Sequence, residues 1–406
     1  MHTLDDLERG ALAGATQVRL THLGLGEFPR QLFELADTLE LLDLSGNALS
    51  ALPDDLHRFT RLRVLFASDN PFTRLPPVLG QCPALEMVGF KACAISEVPA
   101  DSLPPALRWL ILTGNHIRNL PAALGQRPRL QKLMLSCNEL EELPDLSGCT
   151  RLELVRLAGN RFEAIPPSLF ALPALCWLAL AGNPLTAAAE THALQDAAAS
   201  AWPMDALEPG ELLGQGASGR IHRARHRHSG QSVALKLFKA AQTSDGTPAS
   251  ELAAGLRAGS HPQLLTPLAR VDGSSDGALA TVLPLLPASF VALAGPPDLD
   301  SCTRDVYPAG FRVSSAQAER LLAQVHAAIS HLHAQGVIHG DLYAHNLLWD
   351  PHDGNVVLSD FGAATLTEGL PPAQVEHLQA MEWRAFAHLQ AELHARTGPG
   401  ATTTSP

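Results

Sequence analysis

Basic charge and paired cysteines are both scarce in this chain, and each shortage removes a class of function. Lys and Arg number 29 against 41 Asp and Glu, giving a net charge of -12 over 406 residues. Nucleic acid and anionic membrane require a cationic surface, and the longest basic cluster here is only Arg220 to His228, so neither is expected as a partner. The six cysteines, Cys82, Cys93, Cys137, Cys149, Cys176 and Cys302, contain no Cys-x-x-Cys pair, which fits free thiols in a reducing compartment better than zinc or disulfides. The opening Met-His-Thr-Leu-Asp-Asp-Leu-Glu-Arg has neither a basic segment nor an apolar run, so it does not read as a secretory signal, and a cytoplasmic location is expected. The longest uncharged apolar stretch, 278–297, is broken by Pro284 and Pro287; a buried strand and hinge are expected there, not a membrane span. Histidines at 222, 226 and 228, and again at 331 and 333, lack a spacing that converges on one metal ion.

What the sequence does have is a period. Leu39, Leu62, Leu85, Leu107, Leu130, Leu152 and Leu175 recur every 22 or 23 residues, each opening an L-x-x-L-x-L-x-x-N-x-L segment. Fixed self-similarity of this length signifies stacked units that bury one continuous core. Leucines at the first, fourth and sixth places should point inward, and Asn47, Asn70, Asn115, Asn138, Asn160 and Asn183 should bond the backbone of neighbouring turns. Cys93 stands where the third full repeat would carry asparagine. The pattern resembles the leucine-rich repeat family over about residues 15–186.

Between the core leucines lie positions expected to face outward from the concave sheet. They include Phe66, Met87, Trp109 and Trp177, an apolar set unusual for a solvated face, so a protein substrate or regulator is expected there. Packing of this face within the chain is the alternative. From 187 the repeat gives way to an Ala-rich, helix-prone segment read as cap and linker, with Trp202 and Leu207 expected to close the end of the solenoid core.

The second half carries chemistry in order. Gly214, Gly216 and Gly219, followed by Ile221, form a G-x-G-x-x-G-x-I run whose missing side chains would let backbone approach phosphates. Val233-Ala234-Leu235-Lys236 follows as a strand, and Glu251 comes fifteen residues after Lys236 on a segment of helical spacing. Residues 314–334 read as a buried helix leading to His339-Gly340-Asp341. Asn346 lies five residues after Asp341, and Asp360 opens Asp-Phe-Gly nineteen residues after it. Phosphoryl transfer needs a carboxylate beside the attacking hydroxyl and oxygen ligands for a cation, and this set contains both.

Together these motifs resemble the protein kinase family. The resemblance implies ATP and Mg²⁺ as cofactors, Asp341 as catalytic base, Asn346 and Asp360 as metal ligands, and Lys236 on the phosphates with Glu251 holding it. It also places Gly214, Gly216, Gly219, Ile221 and Ala234 around the nucleotide. Two departures stand out. Gly340 replaces the arginine that would dock a phosphorylated activation loop, so no such phosphosite is expected, with Thr365 and Thr367 as the candidate acceptors. Tyr343 replaces the lysine that neutralises the transferred phosphate in Ser/Thr kinases. With no Ala-Pro-Glu and few residues after Gly362, the reading is a C-terminally trimmed kinase similar to bacterial repeat-kinase fusions.

The expected architecture is therefore an α/β leucine-rich repeat solenoid followed by an α+β two-lobed kinase-like domain. The solenoid is placed at 1–186, cap and linker at 187–206, the kinase-like domain at 207–396, and a disordered tail at 397–406. The expected function is ATP-dependent phosphorylation of Ser/Thr or Tyr hydroxyls, with the repeats as protein-binding module. A pseudokinase scaffold and a small-molecule phosphotransferase are the alternatives.

Overall fold

A computed structural model describes residues 2–197, 201–216, 218–239, 243, 245–273 and 279–398. The chain divides into two units, 1–175 and 176–406. The architecture matches the sequence reading: parallel strands of a repeat array, then a mixed α+β unit.

In the first unit, seven three-residue strands, from Gln17–Arg19 through Leu154–Arg156, pair parallel in unbroken register. Short 3-10 turns return the chain. Proline stands at the N-cap of several, including Pro76, Pro121 and Pro166, where a fixed φ and a missing N–H carry no penalty. The period-matched leucines, such as Leu39, Leu42 and Leu44, are fully buried. The asparagine ladder forms as its chemistry requires: Asn115 accepts from Ile95 N at 3.0 Å and donates to the carbonyls of Phe90 and Leu112 at 2.9 Å each. Asn70, Asn138 and Asn160 repeat the arrangement one turn at a time. Cys93 substitutes weakly, its Sγ lying 3.6 Å from Ala67 O.

The residue before each ladder position is left-handed whatever its identity. Gly46, Gly114 and Gly159 meet this demand without strain, while Asp69, Ala92 and Cys137 adopt φ of 54°, 52° and 58°.

On the concave face Phe66 and Trp109 are half-buried, and the Lys132 ammonium lies 4.6 Å over the Trp109 ring. Gly89 gives Phe66 room; a Cβ there would meet Phe66 Cδ1 at 2.6 Å. Met87, expected to face outward, is only 1% exposed, standing in register between Val64 and Trp109. Trp177, assigned to the same face, belongs to the second unit and is 2% exposed, because its indole packs against Tyr343.

The second unit starts at Cys176, upstream of the junction read from the sequence. Strand Trp177–Ala179 and helix Pro184–Asp196 precede a six-stranded sheet. That sheet orders Leu207–Gln215, Gly219–His226, Ser232–Phe238, Ala280–Pro284, Ala269–Asp272 and Trp202–Pro203. Trp202 pairs with Val271, and Leu207 joins an apolar cluster with Val233, Leu235 and Val282. Both residues therefore serve this unit's sheet and core, and the closing role expected for them at the solenoid end is not what the structure gives them. Helix Pro248–Ala258 is capped by Thr247, whose hydroxyl accepts from Ser250 N. Gly255 weakens that helix in isolation but lets Pro267 approach, since a Cβ would lie 2.7 Å from Pro267 Cδ.

Helix Ser315–Ala334 begins at a capping box, in which Ser314 and Gln317 satisfy each other's backbone N–H. It leads into the strand pair Val337–Ile338 and Thr365–Leu366, the three-stranded sheet of Val291–Ala292, Leu347–Trp349 and Val356–Leu358, and helix Pro372–His394. Of the tail expected at 397–406, residues 399–406 lie outside the described residues; Thr397 forms a bridge with Val313.

Candidate active site

The antiparallel register of the sheet sets Lys236 between Ile221 on one neighbouring strand and Thr281 on the other. All three line a cavity of about 240 Å³ together with Gly216, Gly219, Glu251 and Asp360. Lys236 Nζ forms an ion pair with Glu251, both side chains being about a tenth exposed. Burial pushes the Glu251 carboxyl above its ordinary range; the Lys236 ammonium opposes that shift, and Asp360 adds to it. A cation held this way in a dry cleft presents positive charge to anionic groups entering the cavity. Of the residues read as nucleotide-contacting, Gly214 on strand Leu207–Gln215 and Ala234 on the strand of Lys236 are not among the cavity lining. Ala217, between Gly216 and Gly219, lies outside the described residues.

The loop carrying Asp341 is built as a chain of hydrogen bonds. Asn346 Nδ2 donates to Asp341 O at 2.9 Å and to Asp341 Oδ2 at 2.8 Å. The Asn346 carbonyl accepts from both the backbone and the hydroxyl of Ser359 at 2.9 Å, which ties this loop to the residue before Asp360. His339 is fully buried; its Nε2 donates to Ser359 O at 3.0 Å while Nδ1 accepts from Asp341 N at 3.3 Å. Asp360 adopts a φ of 62°, a left-handed conformation that costs a non-glycine residue roughly 1 to 3 kcal/mol and concentrates at functional positions. Its Oδ1 accepts from Gly362 N at 3.1 Å.

Three residues that the sequence did not assign to this site hold the loop. Glu382, 2% exposed, accepts from Gly340 N at 3.0 Å and meets His333 Nε2 at 2.7 Å. Asp305 accepts from the Ala344 backbone and contacts His345 Nδ1 at 2.7 Å. Burial alone would lower the His345 imidazole, but the Asp305 hydrogen bond and charge, with Asp341 and Asp360 farther away, outweigh it and push it up. Trp177 stacks on Tyr343 with ring centroids 4.2 Å apart and planes 10° apart, and its Nε1 donates to Leu342 O at 2.9 Å.

The donor set suits a hard divalent cation. Asn346 spends its amide N–H groups on Asp341, which leaves the amide oxygen for a metal, and the Asp360 carboxylate opens on the cavity. No thiol or neutral imidazole among the cavity-lining residues competes for a softer metal.

A protein kinase domain family model matches residues 207–385, and a leucine rich repeat model matches 105–162. Leucine rich repeats and a protein kinase domain are thus both detected in the chain. The chain is 31% identical over 198 residues to CBL-interacting protein kinase 22 of Oryza sativa subsp. japonica, covering 45% of this chain and 40% of that protein. It is 29% identical over 163 residues to cyclin-dependent kinase B2-1 of Arabidopsis thaliana, covering 40% and 50%. A cyclin-dependent kinase 4 homolog of Caenorhabditis elegans is 31% identical over 157 residues, covering 37% and 36%. The chain thus spans about half or less of the length of these curated relatives. The kinase fold implies ATP and a divalent metal. No helix among the described residues is long and apolar enough to cross a membrane.

Proposed function

We propose that this chain is an ATP- and Mg²⁺-dependent protein kinase acting on Ser/Thr hydroxyls, with its repeats as the protein-binding module. The observation that carries this reading is the single cavity uniting the Lys236–Glu251 ion pair with Asp360, adjoined by the hydrogen-bonded Asp341–Asn346 loop. Lys236, oriented by Glu251, binds the α and β phosphates, and Gly216 and Gly219 cover them with backbone. Ile221 and Ala234 belong to the strands that wall the nucleotide. Asp341 takes the proton of the attacking hydroxyl as oxygen bonds to the γ-phosphorus and ADP departs. Asn346 and Asp360 would hold Mg²⁺, which would supply charge neutralisation during transfer. Ser/Thr specificity is inferred from relatives such as CBL-interacting serine/threonine-protein kinase 13, at 29% identity. On the repeats, Phe66 and Trp109 are the aromatic contacts available to a protein substrate or regulator.

The pseudokinase reading is disfavoured by the retained ion pair and by both candidate metal ligands. The test is incubation with labelled ATP and Mg²⁺ and a general acceptor such as casein. Wild type should transfer phosphate, while Asp341→Asn and Lys236→Met should not. Transfer by wild type that survives in both variants would overturn the residue roles. ATP binding without transfer in any preparation would favour the scaffold reading.

A further inference from the structure

Gly340 stands where kinases carry the arginine that receives a phosphorylated activation loop, and the structure shows what occupies that space. Gly340 has a φ of 72°, and a Cβ on it would lie 2.6 Å from both Ala363 O and Leu178 O. No side chain fits, because the backbone of strand Trp177–Ala179 runs past the loop at contact distance. One residue beyond that strand, Leu180 N donates to Thr365 Oγ1 at 3.2 Å, attaching the same segment to the chain just after Asp360-Phe361-Gly362. Trp177 adds the stack on Tyr343 and the bond to Leu342 O. Arg304 lies 5.5 Å over the Trp177 ring and contacts His388 Nε2, and His388 itself stacks on the indole at 5.8 Å.

These contacts converge on the residues flanking Asp341. Gly340 is passed by Leu178, Leu342 is bonded by Trp177, Tyr343 is covered by Trp177, and Thr365 is bonded by Leu180. The segment making them precedes residue 207, where the match to the kinase family begins.

We propose that the segment from Trp177 to Leu180 is a built-in clamp for the catalytic loop, with Trp177 as a positioning residue for Asp341, doing in cis what a phosphorylated activation loop does when position 340 is arginine. This rests on the kinase reading above. The clamp needs no covalent switch: Thr365 is 1% and Thr367 7% exposed, and their hydroxyls are engaged by Leu180 N and by Gly336 O. Tyr343, standing where a phosphate-binding lysine would be, serves as the clamp's landing surface.

The test uses the full chain and measures phosphorylation of casein, nucleotide binding, thermal unfolding and hydrogen exchange for wild type, Trp177→Phe, Trp177→Ala and Gly340→Ala. Trp177→Ala and Gly340→Ala should lower kcat at least tenfold while KM for ATP and the affinity for a fluorescent ATP analogue stay within twofold. Trp177→Phe, which keeps a ring over Tyr343 and loses the N–H donor, should fall between. Exchange at the amides of 341–346 should accelerate in Trp177→Ala while the sheet around Lys236 stays protected. An unchanged kcat per nucleotide-binding site in Trp177→Ala, whatever its melting temperature, would overturn the clamp, as would unchanged exchange at 341–346. A wild type that binds nucleotide and transfers no phosphate would sink the kinase reading, and the exchange measurement would still decide for or against the clamp.

Discussion

The ladder positions of the array and Gly340 of the second unit meet the same backbone demand in opposite ways. In the array a left-handed residue precedes every ladder position, and glycine, aspartate, alanine and cysteine all fill it. In the second unit Gly340 is left-handed too, but two carbonyls at 2.6 Å from a virtual Cβ exclude every other residue. The difference teaches how constraint is distributed. A solenoid spreads its requirements over copies, each tolerating about 1 kcal/mol of local strain, because each turn leans only on its neighbours. The second unit has one copy of each site group, and the contacts that hold its loops span long stretches of chain.

The largest effect should come from breaking the single-copy side. Asp341→Asn should reduce phosphoryl transfer by roughly a hundred- to ten-thousandfold, the span expected for loss of a general base, with nucleotide affinity retained in a fluorescence titration. Next, Glu382→Ala removes the partner of Gly340 N and His333 at a site 2% exposed, and should destabilise the second unit by about 3 kcal/mol, read as a lowered calorimetric transition.

Inside the array, Asn115→Ala strips partners from Ile95 N, Phe90 O and Leu112 O and should remove roughly 2 kcal/mol in denaturant unfolding, less than the second-unit lesion because neighbouring turns stand. Ala92→Gly relieves a φ of 52° and should raise stability by about 1 kcal/mol. The corresponding change in the other direction, Gly340→Ala, should be damaging, so this pair tests the comparison most directly. The smallest effect concerns thiols. Burial pushes the Cys82 thiol up to about 12, whereas Cys93 is only partly buried, so alkylation at pH 8 followed by mass spectrometry should mark Cys93 ahead of Cys82.

The array was legible because its information is periodic: leucines every 22 or 23 residues announce the core, and asparagines the ladder. The members of the candidate site were legible because each lies in a short run, the glycine loop, Val233-Ala234-Leu235-Lys236, and the loops around Asp341 and Asp360. Their supports were not. Glu382 and Asp305 act across 42 and 39 residues of chain, with no pattern to mark them. Trp177 shows the limit most clearly. Its register in the sequence matches the outward positions of the repeats, so strand periodicity pointed it to solvent. What buries it is a carbonyl and a phenol ring 165 and more residues away, and tertiary packing overrode the local pattern. Met87 failed for a simpler reason, since flanking side chains in adjacent strands cover a residue that alternation alone would expose.

The burial of Thr365 and Thr367 has a consequence in time. An enzyme that waits for a phosphate on its activation segment is synthesised idle, and its output depends on when another molecule, or another copy, reaches it. Here Thr365 and Thr367, on the segment after Asp360, are buried in the folded chain with their hydroxyls engaged. On the clamp proposed above, competence would arrive with folding itself, and a cell would adjust such a protein through how much of it is made, how long it lasts and what it is brought beside.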